Sequence, residues 1–307
     1  MCVYPFKAES LSFLSTLEKD HKTDMPNLST HENMIHNIFV LELISRIAMS
    51  TLFGFAVLCF GYTLTPNIQK KQRTEFIHIF ARILFMLGSA FTIVYGTLEF
   101  ILPLNSIATQ VHTVICLVLA ATVLFIDPNK EGAPAFSFLS GALIFLLVTL
   151  TPFLDPKPLY RAHSVDWLVY FHIGTGALGE AIFAVVFCTS LLYLWNYHKL
   201  KQRKLASSGS LTSLSSIEKL VEKSSLFGLT FITLSLLSGI ALIFIGKFTT
   251  QVGFIKILWA FLVWGWYVMT IFGRSLWGWR GKKGAKLAIF GMILLMLGLF
   301  GTIWHYF

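Results

Sequence analysis

Histidine, glycine and glutamate recur at four-residue steps in the stretch DWLVYFHIGTGALGEAIF, where His172, Gly176 and Glu180 stand at i, i+4 and i+8. On a helix rising 1.5 Å per residue, these positions share one face over about 12 Å. An imidazole there is a proton acceptor and a metal ligand at neutral pH. A carboxylate inside an apolar run is costly unless it is protonated or partnered, so Glu180 suggests a protonated packing residue, a proton relay or a partner for a buried cation. Gly174, Gly176 and Gly179 strip side chains from the same region. That admits either a neighbouring helix or a flat ligand. Small-residue helix packing, with His172 hydrogen-bonded across to its neighbour, is the plainer account of the same residues.

The elements that must carry these residues are long and apolar. Of the 307 residues, 55% are hydrophobic and only 13% charged. Eight apolar stretches read as 38–63, 79–102, 106–126, 136–154, 168–196, 225–246, 254–273 and 286–305. About 20 residues of helix cross a hydrocarbon core of about 30 Å. The spans must be helices, because an open sheet leaves backbone groups unpaired in lipid, and the alternation of a membrane barrel is absent. Pro66, Pro103, Pro128 and Pro134 are assigned to the connections, where a missing N–H costs little. The expected fold is all-α: a polytopic bundle of about eight transmembrane helices forming one domain over 38–307. Residues 1–37 read as a polar, flexible tail with no signal-peptide layout, and 205–217, LASSGSLTSLSSI, as a Ser-rich cytoplasmic linker.

Charge sets the orientation. The connections at 64–78, 127–135, 197–224 and 274–286 together hold fifteen Lys and Arg, whereas the opposite loops hold Lys157, Arg161 and Lys247. The basic side is cytoplasmic by the positive-inside rule, which places both termini outside the cytoplasm. The net charge of +9 is then a topology signal and an attraction to anionic lipid headgroups, not a nucleic-acid surface.

Placed by depth, five of the nine histidines, His36, His112, His163, His172 and His305, fall at outer helix ends or in the adjoining loop. Residues remote in sequence would share one membrane depth, as a site assembled between helices requires, and imidazole is a common axial ligand of haem iron. The other reactive types say less. Cys2, Cys59, Cys116 and Cys188 form no C-x-x-C pair and no C-x-x-C-H haem-attachment motif. Trp259 and Trp266 lie two turns apart on one stripe, more simply packing residues than a cofactor platform. No hydrolase triad, nucleotide loop or zinc-ligand spacing is present.

From Asp166 to Phe307 the chain resembles the cytochrome c assembly family of haem-handling membrane proteins, which includes CcsA-type synthases and shorter HemX-like and YpjD-like relatives. The resemblance rests on DWLVYFHIGTGALGEAIF and the following LLYLWNYHKLKQRK, then on SLTSLSSIEKLVEKSSLFGLTFITLSLLSG. It continues through KILWAFLVWGWYVMTIFGRSLWGWRGKKGAKLAIFGMILLMLGLFGT, of which GWRGKK is the most distinctive piece. The synthase branch carries a Trp-rich W-x-W-D-P-K segment before the seventh helix, but this chain reads QVGFIK at 251–256, and Phe272 stands where that branch has a histidine. His172 matches the family's histidine at the fifth helix; His163 and His305 only loosely suggest its outer-face histidines.

The resemblance implies a bacterial inner-membrane protein that supports cytochrome c assembly by binding or delivering haem, without the platform of a synthase and so without catalysing attachment. The implied ligands are His172 with His163 or His305, and His112 and Glu180 complete the candidate set; no metal is expected beyond haem iron. Expected partners are haem, lipid and other cytochrome c maturation proteins or a tetrapyrrole-pathway enzyme. The alternatives are a HemX-like regulator of such an enzyme, working through 197–224, and a transporter of haem or another small solute.

Overall fold

The computed structural model describes residues 28–64, 71–101, 107–126, 133–150, 167–202, 213–245 and 254–304. All regular structure among them is helical: α1 Leu28–Thr63, α2 Lys71–Ile101, α3 Ile107–Phe125, α4 Ala133–Leu150, α5 Trp167–Lys201, α6 Leu214–Phe244, α7 Phe254–Leu276 and α8 Lys282–Trp304. Each expected span has its helix. Among the described residues six stretches are long and apolar enough to cross a membrane: Val40–Thr63, Glu75–Leu98, Ala133–Leu150, Trp167–Lys201, Leu214–Phe244 and Lys256–Leu276. Within α3 the apolar stretch Val111–Phe125 is shorter. The protein is a polytopic helical membrane protein. Large exposed apolar side chains such as Phe55, Leu58, Phe76, Met86, Leu237 and Leu258 would be a liability in water and are what a lipid-facing surface requires.

Several helices run past the hydropathy-defined spans. α1 begins at Leu28, inside the stretch read as a tail, and α6 begins at Leu214, so the last residues of the 205–217 linker are helical. The reason is that hydropathy finds only the immersed part of a helix. The first turns of α6 are amphipathic: Ile217 and Val221 are buried while Ser216, Lys219, Glu222 and Lys223 are exposed, the i, i+4 pattern of a helix lying against a surface. The carbonyl of Ser213 opens α6 by accepting from the N–H groups of Ser216 and Ile217 at 3.0 and 3.2 Å. Pro134 lies in the first turn of α4, not in a connection; no intrahelical bond is lost there.

By its contacts the chain divides into Met1–Ile44 and Ser45–Phe307. In the first, the described residues form the start of α1. In the second, α5 is the hub, packed against α6, α3, α8 and α4 through Ala181, Phe183, Ala184 and Cys188, all essentially inaccessible. A second focus joins α1 to α2, with Phe53 edge-on to Phe85 at 5.0 Å between ring centroids. The hydroxyls of Ser89, Thr92, Thr175 and Thr189 donate to carbonyls four residues back, which satisfies them without a partner helix.

Two arginines inside the spans have specific work. The Arg82 guanidinium of α2 donates to the carbonyls of Ile126 at 2.9 Å and Leu124 at 2.6 Å, capping the C-terminal end of α3, where helix carbonyls have no intrahelical partner. Arg46 of α1 lies over the Tyr95 ring of α2 at 5.1 Å, a cation–π contact strengthened away from water.

The GWRGKK element forms the turn between α7 and α8. Gly278 and Gly281 adopt φ of 65° and 60°, left-handed values that cost an L side chain about 1–2 kcal/mol. The Gly281 N–H donates to Glu218 Oε1 at 3.1 Å, and Arg274 pairs with Glu222 at 3.6 Å, so the turn is tied to the start of α6. A Cβ at Gly281 would lie 2.9 Å from the Tyr193 hydroxyl oxygen, whereas one at Gly278 meets nothing within 4 Å. Gly278→Ala is therefore expected to lose about 1 kcal/mol from backbone strain alone. Gly281→Ala adds a steric conflict and should melt at a clearly lower temperature in detergent; equal midpoints for the two variants would refute this account.

This turn, the end of α5 and the start of α6 belong to the strongly basic side. Cysteine placed at the exposed positions Lys201 and Lys283 is expected to react with a membrane-impermeant thiol reagent only after the cells are opened. Labelling of either position in intact cells would invert the orientation.

Candidate functional site

α5 enters the bundle with its second turn against α6. His172 is half-buried, and its Nδ1 lies 2.8 Å from the Ser235 carbonyl oxygen. A carbonyl can only accept, so Nδ1 carries the proton and Nε2 carries the lone pair. Two hydroxyls close the arrangement: Ser235 Oγ donates to the His172 carbonyl at 3.1 Å, and Ser238 Oγ donates to the Ser235 carbonyl at 2.9 Å. Both hydroxyl oxygens also approach Nδ1, at 3.3 and 3.4 Å.

The Ser235 carbonyl is a helix carbonyl, whose first lone pair faces the N–H four residues on. That residue is Gly239. A Cβ there would come within 2.8 Å of His172 Cε1 and 3.2 Å of Nδ1, so glycine is what lets the imidazole reach the second lone pair. The same logic continues along the helix pair. A Cβ at Gly176 would lie 3.0 Å from Ser235 Oγ, and one at Gly179 would lie 2.6 Å from Ile232 Cγ1 and 3.1 Å from the Ile232 backbone nitrogen. Of the three glycines read as admitting a helix or a flat ligand, Gly176 and Gly179 admit α6. Gly174 faces open space, with nothing within 4 Å.

Glu180, two turns further along α5, lies in a different setting. Its Oε2 is shut off from the surface and has no hydrogen-bond partner among the described residues. One turn on, Phe183 stacks on Tyr267 of α7 with centroids 3.5 Å apart and planes 16° from parallel. Thus His172 and Glu180 share α5, but His172 is read by α6, while Phe183, one turn beyond Glu180, meets Tyr267 of α7.

The other expected residues divide sharply. His112 is on α3 and buried, with 4% of its surface exposed. His163 and His305 lie outside the described residues, as does the side chain of His36. Among the described residues no group of three or more His, Cys, Asp or Glu side chains is placed to hold a metal ion. Trp259 and Trp266 donate their indole N–H groups to the carbonyls of Leu294 and Leu287 on α8, at 3.2 and 3.1 Å, which makes them packing residues. Cys59, Cys116 and Cys188 are free thiols inside the spans.

Sequence reasoning missed Ser235, Ser238, Gly239 and Tyr267. The run SLLSG at 235–239 held a signal: two hydroxyls and a glycine one turn apart on an apolar helix mark a face that another helix approaches. Nothing in the sequence said that this face meets His172.

The geometry has counterparts among known proteins. The inner membrane protein YpjD of Escherichia coli K12 is 26% identical to this chain over 201 residues, which is 66% of this chain and 73% of the relative. The YpjD proteins of the O6:H1 strain CFT073 and of O157:H7 match equally. No solved structure matches the chain. The family model described as "Cytochrome C assembly protein" matches residues 44–306, which take in every contact of the α5–α6 site and the GWRGKK turn. The chain belongs to the cytochrome c assembly protein family.

Proposed function

We propose that this protein handles haem in a bacterial inner membrane in support of cytochrome c biogenesis, binding or delivering it without forming the covalent attachment. The observation that carries this reading is the hydrogen bond from His172 Nδ1 to the Ser235 carbonyl. Imidazoles that ligate metals characteristically give their other ring N–H to a carbonyl or carboxylate, which fixes the tautomer, aims the ring and raises its basicity. The donor set of His172 therefore fits an iron ligand through Nε2. Haem, when bound, supplies an iron centre that accepts an imidazole. The chain's part is to hold that ring in one tautomer, to orient it and to keep the surroundings dry. His163 and His305 are the proposed second ligands, and His112 is held in reserve. Lipid is the solvent of the spans. Maturation proteins or a tetrapyrrole-pathway enzyme would be met through the polar ends of the helices.

The inner-membrane assignment follows the printed name of the YpjD relatives and the family match. The segment 251–256 lacks the Trp-rich platform of the synthases, which favours an accessory role over catalysis. The test is optical. Detergent-purified protein, as isolated and after haem addition, should show a saturable Soret band of protein-bound haem; haem that partitions only with detergent, identically with and without protein, would end the proposal.

A further inference from the structure

The turn between α7 and α8 carries charge against a helix dipole. The N-terminus of a helix is its positive end, where cations are disfavoured. α8 opens on Lys282 and Lys283, with Lys286 one turn on and Arg280 just before it, and it has no acidic residue in its first turn. All four basic residues are exposed. Beside them stands a fifth cation, Arg274 near the end of α7, which is only 9% exposed. A Cβ on Gly284, in the first turn of α8, would lie 3.3 Å from Arg274 Nη2 and 3.5 Å from Nε. The guanidinium is therefore pressed against a helix end that repels it.

Two carboxylates answer this charge without exhausting it. Glu218 Oε1 is engaged with the Gly281 N–H at 3.1 Å. Glu222 Oε2 stands 3.6 Å from Arg274 Nη1, an ion pair but too long for a hydrogen bond. Nη1 is sealed from the surface and has no hydrogen-bond acceptor among the described residues. Asn196 of α5 repeats the pattern: it is 6% exposed, and its Nδ2, which can only donate, has no partner among the described residues. It shares a face of α5 with Tyr193 and Tyr197, and both of these meet the turn. The Tyr193 hydroxyl lies against Gly281, and the Lys282 ammonium lies over the Tyr197 ring at 5.4 Å. Buried donors are normally satisfied, and the first N–H groups of α8 have no intrahelical acceptor either. Donors of these kinds are the ordinary ligands of an anion with several acceptor oxygens.

We propose that the first turn of α8, with Arg274, Arg280 and Lys283, binds the phosphate of an anionic phospholipid in the cytoplasmic leaflet. The surroundings fit a lipid better than a free phosphate. Trp277 is 58% exposed and lies against Trp279 with ring centroids 4.9 Å apart, as indoles do at headgroup level. Phe272 and Leu276 of α7 and Phe290 and Ile293 of α8 are exposed apolar residues, against which acyl chains can lie. The site meets the end of α5, roughly 30 Å along that helix from His172, and does not depend on whether haem binds.

The full chain, stripped of lipid in nonionic detergent, is offered phosphatidylglycerol and phosphatidylcholine in equal amounts, and the lipid that stays bound is read by native mass spectrometry. One phosphatidylglycerol should be retained in preference to phosphatidylcholine. Arg280→Ala with Lys283→Ala, at two exposed positions, should lower that preference about tenfold. Lys219→Ala with Lys223→Ala, an equal loss of charge from the exposed start of α6, should leave it unchanged. Excess inorganic phosphate should not displace the lipid. Equal retention of the two lipids by the wild type would overturn the proposal, as would a preference that survives Arg280→Ala with Lys283→Ala. A preference that falls as far in the Lys219 and Lys223 variant would reduce the site to the diffuse attraction of a basic surface. Displacement by inorganic phosphate would make the ligand the free anion and end the assignment to lipid.

Discussion

Haem bound to the His172→Ala protein is expected to give a Soret band at least tenfold weaker than the wild type at equal haem and protein, with helix content unchanged. The expectation follows from the tautomer. In the wild type Nδ1–H donates to the Ser235 carbonyl at 2.8 Å, so Nε2 is the ring nitrogen that would ligate iron; alanine removes it. A factor of ten corresponds to about 1.4 kcal/mol, less than the loss of an axial ligand would bring. Helix packing should survive, because alanine suits a helix interior and Gly239 then faces a smaller neighbour. Gly239→Ala separates ligation from mere presence of the imidazole. Its methyl would enter within 2.8 Å of His172 Cε1, so the ring must turn away from the Ser235 carbonyl. The band should then shift or broaden while the histidine remains. A spectrum unchanged in both variants would remove His172 from any haem site.

Gly179→Val is expected to be the most destructive single change within α5, lowering the yield of monodisperse protein severely and the melting temperature of whatever is recovered. A Cβ at this position would lie 2.6 Å from Ile232 Cγ1, 3.1 Å from the Ile232 nitrogen and 3.4 Å from the Gly228 carbonyl oxygen. The first of these can rotate away; the other two are backbone and move only if the helices separate. Overpacking a tight interior costs about 1–3 kcal/mol for added methylene groups, and here the strain falls on the most extensive contact among the described helices. In lipid no hydrophobic force drives the helices back together, so packing lost is not recovered elsewhere. Gly174→Val is the matched control: nothing lies within 4 Å of a Cβ there, and size-exclusion profiles in detergent should match the wild type. If the two variants behave alike, the α5–α6 approach is not as close as described.

Much of the architecture could be read from the chain. Eight runs of apolar residues predict eight helices because lipid forbids an unpaired backbone, and the described helices follow in that order. What hydropathy could not see was the length of α1 and α6, since their polar ends are helical for a different reason: at α6 the amphipathic turn holding Ile217 and Val221 packs onto the bundle. Arg82 could be read as an oddity in an apolar span, but not as a cap, because the carbonyls it serves belong to α3, more than forty residues away.

The candidate site divides in the same way. The types and spacing of His172, Gly176 and Glu180 on α5 followed from helical periodicity, a local property that the sequence determines by itself. Which neighbour reads each of them did not follow, because it depends on how rigid helices rotate and pack against one another. The tertiary structure alone put Gly239 under the imidazole, turned Gly176 and Gly179 toward α6, and stacked Tyr267 on Phe183, one turn beyond Glu180. Chain periodicity says which residues lie on one face of a helix. Only the packing of the bundle decides which element that face meets, and so whether a histidine is merely buried or held in one tautomer.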